Sequence, residues 1–212
     1  MRCASFLLLA AVFAGPAAAN IALYSSNPAN DASNDLVFSS GPYTGLGDSI
    51  ILTAAGVANY ANVQFYNDGA AGTFDTSLTF LNAGSPVGTQ IGSPYTLTGL
   101  SIGANSEVNA TFQLGTLSLP TDVVFILEVS NLSLNVDPGV ELYSDPTLAG
   151  TNTADTAIFF QSGVYSQQST GVPGSGNPFF DLEEAPEPSM WLVLSAGMLA
   201  LAAAGYRKHR RA

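Results

Sequence analysis

Between Asn20 and Glu184 no window of this chain carries a sustained helical period, and where apolar residues recur they do so at every second position. Side chains alternating with period two belong to strands that keep one face on a core. Phe74, Thr76, Leu78 and Phe80 share one such face. In Asp122 to Leu134, Val123, Phe125, Leu127 and Val129 point one way and Val124 and Ile126 the other, the pattern of a central strand covered on both sides through its first half. In Ala110 to Leu119 the apolar parity switches across Gly115-Thr116, and a β-bulge at Gly115 would restore one buried face.

Shorter runs fill in the rest of the pattern. Leu36-Val37-Phe38 predicts an edge strand among turn-rich loops, and Ile50 to Ala55 is the next apolar run. Val63 and Phe65 alternate before the loop Asn67 to Gly72, so that with Phe74 to Phe80 they predict a β-hairpin. Tyr95 and Leu97 follow Gly92-Ser93-Pro94, with Gly99 closing that strand, and Val140 to Tyr143, Ala157 to Phe160, Val164-Tyr165 and Pro178 to Leu182 predict others. Ser166 to Asn177 reads as a long loop. About ten short strands separated by Gly, Ser, Thr, Asn and Pro predict an all-β fold, an antiparallel β-sandwich of jelly-roll or immunoglobulin-like type over residues 20–182.

Charge is distributed as sharply as hydropathy. All 5 Lys and Arg residues lie at Arg2 or in the Arg207 to Arg211 cluster, whereas all 16 Asp and Glu residues lie between Asp31 and Glu187. A body without Lys or Arg cannot neutralise phosphates, which argues against nucleic acid and against electrostatic docking on anionic lipid. The same stretch has no Cys and no His, so thiolate nucleophiles, Ser-His-Asp triads, disulfides and imidazole metal sites are excluded by composition.

The two ends read as handling signals. Arg2, the apolar run Phe6 to Phe13 and the small-residue site Ala17-Ala18-Ala19 form a signal peptide over residues 1–19, with Ala17 and Ala19 as the cleavage-site residues ahead of Asn20. At the other end residues 183–188 form an acidic, Pro-rich linker ending in Pro186-Glu187-Pro188. Residues 189–206 are uncharged, and eighteen residues at about 1.5 Å each span about 27 Å, enough for a single transmembrane helix. Arg207, Lys208, Arg210 and Arg211 in the tail 207–212 make a basic membrane stop that the positive-inside rule keeps cytoplasmic, placing the body on the outer side.

Pro186-Glu187-Pro188, the apolar span and the basic cluster, in that order at the C-terminus, resemble the PEP-CTERM sorting signal of Gram-negative bacteria. The resemblance covers about the last twenty-seven residues. It implies an exported protein whose tail is recognised by the membrane enzyme exosortase and cut near the motif, so that the helix anchors it only before processing. It also implies a place on the cell surface or in the extracellular matrix, among the exopolysaccharide of a biofilm.

Inside the body the candidate chemistry rests on carboxylates and aromatic rings. Asp122 and Glu128 share one face of a strand but stand about 20 Å apart, too far for the carboxyl pair of a glycosidase. Asp137 and Glu141 flank Pro138-Gly139, which predicts a solvated turn. Asn30, Asp31, Asn34 and Asp35 form the densest oxygen cluster; without EF-hand spacing, Asp31, Asn34 and Asp35 make a weak calcium candidate, and no other cofactor is expected. Tyr60, Tyr66, Tyr95, Tyr143 and Tyr165 are candidates for a sugar-stacking platform, against the plainer role of rim packing. The expectation is a non-enzymatic surface or matrix protein. The alternatives are a carbohydrate-binding module, a permanently anchored sandwich and, least favoured, a carboxylate-dependent hydrolase.

Overall fold

The computed structural model describes residues 20–26, 31–38, 43–143, 147–152, 156–170 and 177–185, and of 31–35 the backbone only. Over these residues the chain is all-β, and no helix among them is long and apolar enough to cross a membrane. The strands are β1 (Ile21–Ser25), β2 (Asp31–Val37), β3 (Gly45–Ile51), β4 (Gly56–Asn67), β5 (Gly72–Ala83), β6 (Val87–Ile102) and β7 (Ser106–Leu119). They continue as β8 (Asp122–Ser130), β9 (Pro138–Tyr143), β10 (Thr151–Asn152), β11 (Thr156–Gln161), β12 (Val164–Ser169), β13 (Asn177–Pro178) and β14 (Phe180–Glu184).

Two antiparallel sheets of seven strands each share one core, a sandwich-like arrangement within the unit Ala22–Glu184. The first sheet is built on β4. One edge of β4 carries β7, and the other carries β14 opposite Tyr60 to Val63 and β9 opposite Phe65 to Asn67. Where β9 diverges from β4, the last strand fills the fork: β13 pairs with β9, Phe179 donates its N–H to Glu141 O (2.8 Å), and β14 then pairs with β4. β1 lies beside β14, and β2 is an edge strand on β9. The second sheet runs β12-β11-β3-β8-β5-β6, with β10 on β3.

β8 follows from its sequence as expected. Val123, Phe125 and Leu127 enter the main core, while Val124 and Ile126 join a smaller apolar cluster on the outer face of the second sheet with Leu81 and Ile158. Burying side chains of this size contributes roughly 1.5–3 kcal/mol each, so a strand covered on both faces anchors its sheet. At the centre, Phe180 of β14 stacks on Phe125 with ring centroids 4.0 Å apart and planes within 6°, and Phe80 and Tyr24 approach the same ring at 6.2 and 6.3 Å. Such pairs add about 0.5–1.5 kcal/mol beyond the area they bury.

The bulge expected at Gly115 is present. Ala58 pairs with Leu117 but Tyr60 pairs with Gln113, Gly115 takes φ +71°, and Asn59 donates its side-chain amide to Gly115 O. The buried positions accordingly change from Ala110, Phe112 and Leu114 to Leu117 and Leu119.

Other expectations are corrected. β4 and β5 do not form a hairpin, since they belong to different sheets and Phe65 meets Phe74 edge-on across the core at 5.3 Å. The cause is Asn67, whose buried side chain donates to Ala70 O (2.9 Å) and Gly103 O (2.7 Å) and accepts from the N–H groups of Gly69 (3.0 Å) and Asp137 (2.9 Å). It turns the link into an arch from sheet to sheet. Pro138-Gly139 is not a turn either: the pair opens β9, where Pro138 sits opposite Asn67 and needs no ladder N–H of its own. Gly99 does not end its strand but takes φ +65° inside β6, which shifts register three times against β5 and makes a long, interrupted edge. Ser166 to Ser169, read as loop, belong to β12, and Glu183 and Glu184, read as linker, continue β14. The run Ile50 to Ala55 is displaced, since β3 covers Gly45–Ile51.

Candidate functional site

Residues 61, 63, 65 and 67 of β4 turn inward, so Tyr60, Asn62, Gln64 and Tyr66 line the outer face of the first sheet, all half-buried. The antiparallel register sets each beside a residue of β7 on the same face: Tyr60 beside Gln113, Asn62 beside Thr111, Gln64 beside Asn109 and Tyr66 beside Glu107, with the β7 side chains exposed. On the other side of β4, Asp181 pairs with Asn62 and Glu183 with Tyr60. Period two alone therefore places amides, hydroxyls, carboxylates and phenol rings on one face.

The face is ordered by its own hydrogen bonds. Gln64 donates through Nε2 to Glu107 Oε2 (2.8 Å), Thr111 Oγ1 donates to Asn62 Oδ1 (2.7 Å), and the Tyr143 hydroxyl donates to Gln64 Oε1. Tyr143, from β9, packs its ring on Phe179 at 4.9 Å. Ser25 Oγ donates to Asp181 Oδ1 (2.7 Å) from β1. Burial pushes the Asp181 carboxyl above its usual range and nearby Glu183 adds to the rise, while the hydrogen bonds from the Ser25 hydroxyl and the Ser26 backbone act against it.

The five tyrosines singled out from the sequence divide. Tyr60, Tyr66 and Tyr143 share this face, with Tyr60 and Tyr66 six residues apart along β4 and Tyr143 buried beside Gln64. Tyr95 instead packs on the main core and donates to Leu114 O (3.3 Å), tying β6 of the second sheet to β7 of the first. Tyr165 lies on the outer face of the second sheet with its ring 4.6 Å from that of Phe160.

The carboxylates divide as well. Asp122 and Glu128 lie on one strand, β8, as expected, and partial burial pushes the Glu128 carboxyl upward. Asp137 and Glu141 do not converge, because four residues along an extended strand separate them by about 13 Å. Asp31, Asn34 and Asp35 have backbones on β2 opposite Tyr143, Leu142 and Glu141, and their side chains lie outside the described residues. Among the described residues no three His, Cys, Asp or Glu side chains cluster as metal ligands. The sequence reading missed Asp181 and Glu183, which stand about 7 Å apart on one face; what hid them was the run of acids before the Pro-rich tail. Asp181 is already committed to Ser25, which leaves this pair a weak acid-base couple.

The remaining sequence sites, Ala17 and Ala19, Pro186, Glu187 and Pro188, the span 189–206 and Arg207, Lys208, Arg210 and Arg211, lie outside the described residues. Against protein-family models, curated proteins and solved structures, this chain finds no match.

Proposed function

We propose that this chain is an exported, non-enzymatic surface or matrix protein: a β-sandwich body of jelly-roll or immunoglobulin-like type, delivered by an N-terminal signal peptide and a PEP-CTERM-like tail. In this reading exosortase is the partner that recognises and cuts the tail, the helix holds the body outside the inner membrane until then, and the released body is retained among extracellular polysaccharide. The observation that carries it is the ordered tail, Pro186-Glu187-Pro188 followed by an uncharged span and four cations. Support comes also from the body, whose first sheet carries a polar outer face of tyrosines, amides and carboxylates along β4 and β7.

Intact-mass and fractionation analysis in the native host, comparing the natural tail with Pro186-Glu187-Pro188 replaced by Ala-Ala-Ala, tests it. The natural protein is expected to lose the residues after the motif, while the variant keeps them in the membrane. If both retain residues 190–211 in the inner membrane, the sorting reading fails and the permanently anchored sandwich takes its place.

A further inference from the structure

We infer that the outer face of the first sheet, along β4 and β7, is a binding surface for a neutral polysaccharide strand. The inference rests on the proposed place among extracellular polysaccharide and names the site and the chemical class.

Three features of the face select this ligand. Tyr60 and Tyr66 lie on the same face of β4, six residues or about 20 Å apart, a span that covers several sugar rings. A phenol ring that is half-buried against its sheet gives up little rotamer freedom when a pyranose packs on it, and its hydroxyl stays available at the rim. Between and beside the tyrosines run Asn62, Gln64, Asn109 and Gln113, amides that both donate and accept, as a polyol requires. Gln64 and Asn62 are already oriented by Glu107, Tyr143 and Thr111, so less freedom is lost on binding.

Charge decides between polymers. Glu107, Asp181 and Glu183 occupy the face, and the described residues contain no Lys or Arg to offset them. A uronic-acid or sulfated polysaccharide, like a nucleic acid, meets like charge there and is disfavoured. A neutral strand meets none. On the second sheet the middle of the outer face is apolar instead, with Leu81, Val124, Ile126 and Ile158 packed on one another.

The test is affinity electrophoresis of the full chain in detergent, through gels containing hydroxyethylcellulose, galactomannan or dextran as neutral probes and alginate as the acidic one. At least one neutral polymer is expected to retard the protein saturably, and alginate is not. Tyr60→Ala combined with Tyr66→Ala is expected to weaken that binding at least tenfold, and Tyr165→Ala, on the other sheet, to leave it unchanged. Should the double variant fail to fold, judged by circular dichroism, the exposed pair Asn109→Ala and Gln113→Ala decides, with a several-fold loss expected. No retardation by any neutral probe overturns the inference, as does stronger retention by alginate or undiminished binding by folded variants. This outcome is independent of tail processing in cells: loss of glycan binding with a correctly cut tail removes the site and leaves the sorting reading standing, and the converse result does the reverse.

Discussion

The two sheets present opposite outer faces. Both direct apolar side chains inward at every second position, and around the Phe125–Phe180 stack they contribute alike. Outside, the second sheet carries Val124, Ile126 and Ile158, buried to the last percent, across the strand whose outward residues include Gly45 and Gly47. A methyl group added at Gly45 would meet Ile126, Glu128 and Phe160 within 3.1 Å, so the side chains of β8 and β11 close over the space the glycine leaves. The first sheet carries rings, amides and carboxylates joined by hydrogen bonds. The same period-two code thus produces two different outer faces: one packed from apolar side chains, and one built of polar groups that hydrogen-bond to each other.

The largest test of this difference is substitution across the two faces. Ile126→Ala and Ile158→Ala are expected to cost about 2–5 kcal/mol each, the range for large-to-small changes at buried sites. Gln113→Ala and Asn109→Ala, exposed on β7, are expected to fall within about 0.5 kcal/mol. Urea denaturation at constant m-value measures both sets, and similar losses on the two faces would break the comparison.

A second test uses the interrupted edges. Gly99 in β6 and Gly115 in β7 both take positive φ with nothing within 4 Å of an added methyl, so Gly→Ala at either isolates backbone strain from steric clash. Each is expected to cost about 1–2 kcal/mol, and equal costs are expected although the sheets differ, because the strain is local to the residue.

The smallest effect is electrostatic, and each face supplies one group. Burial holds Asp181 on the first sheet and Glu128 on the second above their usual ranges, so the folded state keeps these protons more tightly than the unfolded chain does. Their burial is tolerated fully below the unfolded carboxylate range, and stability declines as pH rises through the folded values. Asp181→Asn and Glu128→Gln are therefore expected to raise Tm at neutral pH and to leave it unchanged near about pH 3. Scanning calorimetry across that range would show it; a Tm lowered at neutral pH would mean that the charge is needed where it stands.

What the sequence made legible was face parity, and what it hid was partnership. Val123 to Leu127 and the switch at Gly115 could be read because burial leaves a period in the side chains themselves. Which strands pair depends on contacts far apart in the chain, and there a turn-like segment such as Asn67 to Gly72 misleads. Its Asn-Asp-Gly opening promises a hairpin, but a single buried amide bonded to Gly103 and Asp137 makes it an arch. The candidate site was legible by the same division. Tyr60, Tyr66 and Tyr143 could be named from composition, but Tyr143 reaches the face of the other two only because β9 joins β4, which no local pattern announces. Asp181 and Glu183 were hidden because a strand bearing acids on its outer face looks, one residue at a time, like the start of an acidic linker.

The last strand has a consequence for how the body is made. Phe180, wholly buried and stacked on Phe125, arrives only when nearly all of the body has been synthesised, and β14 enters a fork that β4 and β9 hold open for it. Until then β4 is paired from Tyr60 to Val63 on its β7 edge alone, and the central ring of the core is missing. A chain interrupted before this point has the other strands but lacks the piece that locks them, so the fold distinguishes a finished body from an unfinished one by whether its keystone is in place.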